Sequence, residues 1–233
     1  MQRSLDHKTN PQQDRTQVKE ILYGQVARIG QVFSSPKRLE LVELLCQGEK
    51  SVERLANEAG ISLKLASAHL KELRHAHLVE ARKEGKNTIY RLASEEVADF
   101  WVTIRTLAED RLVDLRVALA KLSAHAHELT PLSRVELLAQ AQGGEVTVLD
   151  VRPSSEFITG HLPYAQSIPL ADLKRRLEEL PSSKPIVAYC RGPFCLMAVE
   201  AVEMLRQEGF NAIRLEDGVA EWRTQGLPLE VGA

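Results

Sequence analysis

The chain is short of several things, and each shortage removes a class of protein. It has three cysteines in 233 residues. A low, odd count speaks against a disulfide scaffold and leaves each thiol an individual role. Aromatic residues make up 5%, so any core must rest on Leu, Val, Ile and Ala. No apolar run nears the roughly 18 residues that a membrane helix needs. The opening stretch MQRSLDHKTNPQQDRTQ is polar and lacks the apolar segment of a signal peptide. The expectation is a cytoplasmic chain with reduced thiols and no membrane partner. What is present, 44% hydrophobic and 27% charged residues, suffices for packed cores and excludes disorder throughout. The length fits one large domain or two small ones.

The net charge of −2 conceals an asymmetry. Residues 1–94 carry 16 Lys and Arg against 11 Asp and Glu, whereas residues 95–233 carry 14 against 21. A basic half joined to an acidic half suggests two modules with different partners, the first of them a candidate for nucleic acid.

Residues 1–16 show no apolar periodicity and read as a disordered tail. From Val18 to Val32 apolar residues recur at helical spacing. Ser35-Pro36 opens a second helix that ends at Gly48. A short third helix follows Ser51 and closes at Gly60, and Ser62 caps a fourth that runs to about His75. LVEAR and TIYRL then flank Glu84-Gly85-Lys86-Asn87, a hairpin pattern. Apolar periodicity from Ser94 to Leu129 predicts one helix about 50 Å long, too long for a small domain to cover without a partner chain. Thr130-Pro131 ends it and marks the boundary between a domain over 17–129 and one over 130–233. Beyond it, VTVLDV, PIVAYC and AIRLE read as strands alternating with helices near 170–180 and 196–208. That alternation predicts an α/β fold with a parallel sheet. The fold class is therefore a mainly α winged helix-turn-helix followed by an α/β domain.

Helix, tight turn, helix and hairpin make a winged helix-turn-helix, whose second helix enters the major groove. On the fourth helix Leu63, Ala66, Leu70 and Leu73 form the face expected to meet the core. Lys64, Ala68, Lys71 and His75 lie opposite, with Ser67 and Arg74 on one flank and His69 on the other. These offer cations for phosphates and hydroxyl or imidazole groups for base edges. Arg82, Lys83, Lys86 and Arg91 make the hairpin a cationic wing.

The stretches FSSPKRLELVELL and SVERLANEAGISLKLASAHLKELRHAHLVEARKEGKNTIYRL resemble the ArsR family of bacterial winged-helix repressors. The likeness rests on Pro36-Lys37-Arg38-Leu39, Ser67-x-His69-Leu70, His77-Leu78-Val79 and the Arg82–Lys86 wing. It implies a homodimer built from the first and last helices, and a palindromic double-stranded operator with half-sites about 10 base pairs apart or a multiple of that. Many relatives sense metals through cysteines at the start of the third helix, where this chain has KSVERLA. A second family site needs an Asp-x-His, which Asp114-x-Arg116 breaks, although His125-x-x-Glu128 fits its other half. No metal and no cofactor are expected. Cys46 reads as a small buried hydrophobe or as a sulfur-sensing thiol.

In the second half, Cys190 ends an apolar strand and stands before a helix, where amides and the helix dipole favour a thiolate. Arg191 adds a cation nearby. Such a thiolate can attack electrophilic sulfur and hold a persulfide. The surrounding motifs resemble the rhodanese family over residues 130–231: Asp150-Val151-Arg152, Glu156-Phe157, Gly160-His161-Leu162-Pro163-x-Ala165, Asp217-Gly218-x-x-x-Trp222 and Gly226-Leu227-Pro228. The resemblance implies Cys190 as the sulfur-accepting nucleophile, with Arg191, Gly192, Pro193, Phe194 and Cys195 completing the active-site loop. Asp150, Arg152, Glu156 and His161 read as structural. The loop lacks the closing Arg of phosphatase and arsenate-reductase relatives, since Leu196 stands there. Pro193 also removes an amide donor. Cys195 reads as a resolving thiol or as an inward-packed residue.

The combined expectation is a dimeric DNA-binding regulator, a repressor by its resemblance, that senses or transfers reactive sulfur through a Cys190 persulfide. The sulfur donor would be thiosulfate, polysulfide or a low-molecular-weight persulfide. Two alternatives stay open: a sulfurtransferase that only controls its own operon, and an idle rhodanese module that binds a ligand or partner.

Overall fold

The computed structural model describes residues 11–123 and 134–232. Helix α1 (Pro11–Phe33) begins inside the stretch read as a disordered tail. Gln12, Arg15, Gln17 and Lys19 are good helix formers, and propensity carries the helix where apolar periodicity is silent. Residues 1–10 lie outside the described residues. α2 (Pro36–Cys46) follows with Pro36 in its first turn, and Gly48 then adopts φ +127°. A two-residue strand β1 (Lys50–Ser51), which the sequence did not suggest, leads into α3 (Val52–Glu58) and α4 (Leu63–His75). The Ser51 and Ser62 hydroxyls accept the amides of Arg54 and Leu65, N-caps of about 1 kcal/mol each. Strands β2 (Val79–Glu84) and β3 (Asn87–Leu92) form the wing, with β1 on the outer edge of β3. Gly85 turns it at φ +58°.

Ala66, Leu70 and Leu73 are fully buried as the pattern predicts, but Leu63 is exposed. It is the first residue of α4, and Ile61, just before the Ser62 cap, packs on the core in its place.

The predicted 50 Å helix is broken. α5 (Glu95–Arg111) ends at Leu112, whose φ −102° and ψ 106° are extended, and α6 (Val113–Ser123) starts afresh. No Gly or Pro marks the break. The Asp110 carbonyl that would have continued the ladder is taken instead by the Arg116 side chain at 2.8 Å. His125, His127, Glu128 and Thr130-Pro131 lie outside the described residues.

The second half opens with α7 (Arg134–Gln142) and builds a parallel sheet. Strands β4 (Thr147–Asp150), β5 (Ala165–Ser167), β6 (Ile186–Tyr189) and β7 (Ala212–Arg214) lie in the order β5-β4-β6-β7. Every residue of β6 is buried, the mark of a strand covered on both faces. Helices α8 (Ser154–Thr159), α9 (Leu170–Leu173), α10 (Met197–Gln207) and α11 (Val219–Thr224) cover the sheet. The protein is thus a winged helix-turn-helix joined to an α/β domain.

The two halves share a core. Ala220 of α11 belongs to the apolar cluster of the winged helix, and Phe194 packs against it. Thr224 donates to Asp99 on α5 at 2.7 Å, and Arg54 on α3 donates to Ser155 on α8 at 2.9 Å.

Candidate functional site

β6 delivers Cys190 to the mouth of the sheet, and the loop 190–195 returns the chain to α10. Gly192 has φ +138°, a conformation that favours glycine, and the Cys195 amide closes the turn on its carbonyl at 3.1 Å. Gly218, just before α11, lies against this loop. A Cβ there would stand 2.6 Å from the Arg191 carbonyl carbon, so the Asp217-Gly218 motif permits two backbones to touch.

The two thiols of the loop differ in exposure. Cys190 is 1% exposed while Cys195 is half-buried. Burial pushes the Cys190 thiol well up, and its Sγ lies 3.5 Å from the Cys195 carbonyl oxygen, in position to donate. Cys195 is brought down to about 6 by a hydrogen bond from Cys190, against the cost of burial and with help from the Arg191 and Met197 amides. The two thiols share one site, and their ionisation belongs to the pair.

Arg191 also serves differently. Its guanidinium turns from the thiols to Glu156 (2.6 and 3.0 Å) and to Glu58 of α3 (2.6 Å). Burial opposes its charge, but the bonds to Glu156 raise its pKa on balance. Glu156 in turn holds the buried Lys50 at 2.6 Å, and its own carboxyl is lowered despite burial by Arg191 and Lys50. Lys50, Glu58, Glu156 and Arg191 thus form one network across the domain boundary.

Gly192 and Phe194 of the loop face the winged helix. Phe194 meets Trp101 edge-on at 6.2 Å, and the Arg105 guanidinium lies 5.7 Å from its ring centroid. Arg105 pairs with Glu221 of α11 at 2.7 Å, and both border Gly192. Gln47 at the end of α2 donates to the Arg191 carbonyl at 3.4 Å and accepts from Arg152 at 2.9 Å. Pro193 accepts from Arg214 at 2.7 Å. Beneath lies the group read as structural: Arg152 clasps Asp150, and Tyr189 donates to Asp150 at 2.5 Å. His161 stacks on Phe157 at 3.6 Å and bonds its carbonyl at 2.9 Å.

Of the residues expected to meet DNA, Lys64, Ser67, Ala68, Lys71, Arg74 and His75 are exposed on one flank of α4. His69 is half-buried, and burial with Arg38 nearby lowers its pKa, so at neutral pH it offers a neutral ring. The wing is less cationic than its sequence. Arg82 is paired with Glu49 and Glu84, and Arg91 with Glu80. Lys83 and Lys86 are exposed and form no ion pair among the described residues.

Sequence reasoning missed Glu43, Gln47, Lys50, Glu58, Arg105 and Glu221. A signal was available for three of them. Glu43 interrupts the apolar run LELVELLC, Arg105 falls four residues after Trp101 on the apolar face of α5, and Glu221 sits within the closing motif.

Comparison with known proteins fits this division. A family model described as "Bacterial regulatory protein, arsR family" matches residues 35–81, and one for the rhodanese-like domain matches 133–225. The HTH-type transcriptional regulator Rv0324 of Mycobacterium tuberculosis is 44% identical over 92% of this chain and 94% of its own. A sulfurtransferase of Allochromatium vinosum is 29% identical over 36% of this chain and 78% of its own. Among solved structures, a homodimeric winged helix-turn-helix DNA-binding domain from Mycobacterium bovis is 37% identical, covering 48% of this chain and 94% of that one with TM-score 0.39. The chain belongs to the ArsR family of DNA-binding transcriptional regulators, in the form that carries a C-terminal rhodanese-like domain.

Proposed function

We propose that this regulator reads reactive sulfur at the Cys190–Cys195 pair and passes the result to its DNA-binding half. One observation carries the reading: the thiol loop is docked on the winged helix, with Phe194 against Trp101 and Arg191 bonded to Glu58. A chemical change in the loop must therefore act on α3 and α5 directly. The division is a winged-helix unit over 17–129 and a sulfur-handling unit over 130–233.

Cys190 is the thiol that accepts sulfur from the donor, and Cys195 is the resolving thiol. Cys190, as its thiolate, attacks the outer sulfur of a persulfide RS–SH. The S–S bond breaks, RS⁻ leaves, and Cys190 carries –S–SH. The Cys195 thiolate then attacks the inner sulfur and the outer sulfur leaves as HS⁻, which takes a proton to become H₂S, leaving a Cys190–Cys195 disulfide. Thiosulfate or polysulfide would deliver sulfur to the same Cys190 thiolate. Asp150, Arg152, Glu156 and His161 hold the loop's floor, and Arg191 anchors the loop rather than an anion.

The DNA partner is a palindromic operator read by a homodimer. Support for the dimer comes from exposed apolar residues on the first and last helices of the winged-helix half, Val18, Ile21, Leu22 and Val26 with Val113 and Val117. On DNA, Lys64, Lys71, Arg74, Lys83 and Lys86 take phosphates, and Ser67, His69 and His75 face base edges.

The test is intact mass spectrometry beside operator titrations, with and without polysulfide. Sulfur uptake should weaken operator binding several-fold. Cys190→Ser should abolish the response, Cys195→Ser should trap the persulfide on Cys190, and Phe194→Ala should take up sulfur without releasing DNA. Uptake by the wild type with unchanged operator affinity would instead support a sulfurtransferase.

A further inference from the structure

Arg214 brings a cation to the thiol loop from the neighbouring strand. Side chains alternate between the two faces of a sheet. Around β6, Ile186, Ala188 and Cys190 enter the apolar cluster that α10 covers, while Val187 and Tyr189 enter the cluster of the other face. β7 keeps the same alternation, with Ala212 in the first cluster and Ile213 against the second. Arg214 is paired with Ala188 in the register and so stands on the face of Cys190. From there its guanidinium reaches the loop, where Nη2 donates to the Pro193 carbonyl at 2.7 Å. Cys195 packs against the same cluster. The third thiol, Cys46, is buried in the winged-helix core and takes no part.

The other arginines around the loop are committed to acids. Arg191 holds Glu58 and Glu156, Arg105 holds Glu109 and Glu221, and Arg152 clasps Asp150. Arg214 pairs with no carboxylate among the described residues, and its Nε is shielded from solvent without a hydrogen-bond partner there. A guanidinium offers five N–H donors in a planar fork, which suits a ligand with several anionic oxygens. No side chain caps α10 at the end of the loop, and its first turn also favours an anion. Arg214 is half-buried rather than sealed, so a small anion can reach it.

We propose that Arg214 determines which sulfur donor the loop accepts, its guanidinium binding the sulfonate face of a thiosulfate-type donor whose terminal sulfur goes to Cys190. The proposal rests on the sulfur reading of the Cys190–Cys195 pair. The Cys190 thiolate attacks the terminal sulfur of S–SO₃²⁻. The S–S bond of the donor breaks, its electron pair leaves with sulfite, and Cys190 carries –S–S⁻. Charge is conserved, since a thiolate and a dianion give a persulfide anion and SO₃²⁻. Arg214 pairs with the sulfonate oxygens of the donor and with the charge that grows on the departing sulfite. β7 thus supplies the cation that the end of the loop lacks, where Leu196 stands. A polysulfide carries no such oxygens and gains nothing from the fork.

The experiment uses the full chain in a Cys195→Ser background, which keeps the persulfide on Cys190. Sulfur uptake is followed by intact mass spectrometry with thiosulfate and, separately, with polysulfide at matched ionic strength. Arg214→Met should slow uptake from thiosulfate roughly ten- to a hundredfold, the loss expected of a hydrogen bond to a charged group, and change uptake from polysulfide by less than about twofold. Arg214→Lys keeps the charge without the fork and should fall between. Equal slowing with both donors is a structural effect on the loop and overturns the proposal, as does unchanged uptake from thiosulfate. A second arm needs no sulfur transfer. In a Cys190→Ser chain the arginine Nε–H signals are followed by nitrogen NMR as thiosulfate is added, the Arg214 signal being the one that Arg214→Lys removes. It should move saturably, and a signal that stays still overturns the proposal. This arm decides if Arg214→Met does not fold. It also decides if Cys190 takes sulfur from neither donor, a result that by itself ends only the sulfur reading.

Discussion

The Arg191 guanidinium lies 2.6 Å from the Glu58 carboxylate, joining the residue after the first loop cysteine to the last turn of α3. The pair is partly buried and Arg191 also holds Glu156, so it is not an ordinary surface ion pair, which contributes little. Arg191→Ala strips both carboxylates of that partner, leaving Glu156 facing Lys50. The expected loss is about 1–3 kcal/mol in urea unfolding. Glu58→Gln should cost less, because Arg191 retains Glu156.

Operator binding should depend on lysines more than on the wing arginines. Replacing Lys64, Lys71, Lys83 and Lys86 by Ala should weaken binding to all sequences alike and flatten its salt dependence. Arg82→Ala should have a smaller effect, since Glu49 and Glu84 already compensate that charge. Ser67→Ala and His69→Ala should alter sequence preference, with a discrimination loss of about 1–3 kcal/mol at the contacted base. Titrations at several salt concentrations on matched and scrambled operators separate these outcomes.

Gly218→Ala places a methyl group 2.6 Å from the Arg191 carbonyl carbon, and the loop backbone must move to admit it. Cys195 should then lose its hydrogen bond from Cys190 and the Arg191 amide, and its alkylation midpoint should rise toward that of an ordinary thiol. Gly226→Ala, where nothing lies within 4 Å of the added Cβ but φ is +67°, should cost stability through backbone strain and leave the thiol profile intact.

Burial raises the Glu43 carboxyl of α2, which gives stability a pH dependence of definite sign. Its value is 4.5 when unperturbed and about 7 in the folded chain. The folded state binds the proton more tightly, so this contribution is complete below the unfolded value. It is lost as pH rises through the folded one. Cys195, lowered from 9.0 to about 6, works the other way and adds stability as pH rises from about 6 to 9. Midpoints of thermal unfolding should therefore fall between about pH 5 and 7 in a Cys195→Ser protein, and Glu43→Gln should flatten that slope. A Cys195→Ser protein whose slope is unchanged by Glu43→Gln would sink the assignment.

The winged helix was legible because its signals are local: caps at Ser51 and Ser62, the Gly85 turn, and the spacing of Ala66, Leu70 and Leu73. The second half was legible through its strand pattern and the motifs around Cys190. Two things escaped. The break at Leu112 has no breaker residue, and only the Arg116 bond to Asp110 shows how the chain tolerates it. The docking of the loop on α2, α3 and α5 joins residues more than a hundred positions apart, such as Gln47 with Arg152 and Arg105 with Glu221. No periodicity encodes such pairs. Their trace was a charged residue on an apolar face.

The burial of the loop also bears on what can reach it. Cys190 is 1% exposed and packs in the core of the α/β half, with Cys195 half-buried beside it. On the proposed reading, a small diffusible donor should deliver sulfur to this pair faster than the same sulfur carried on another protein.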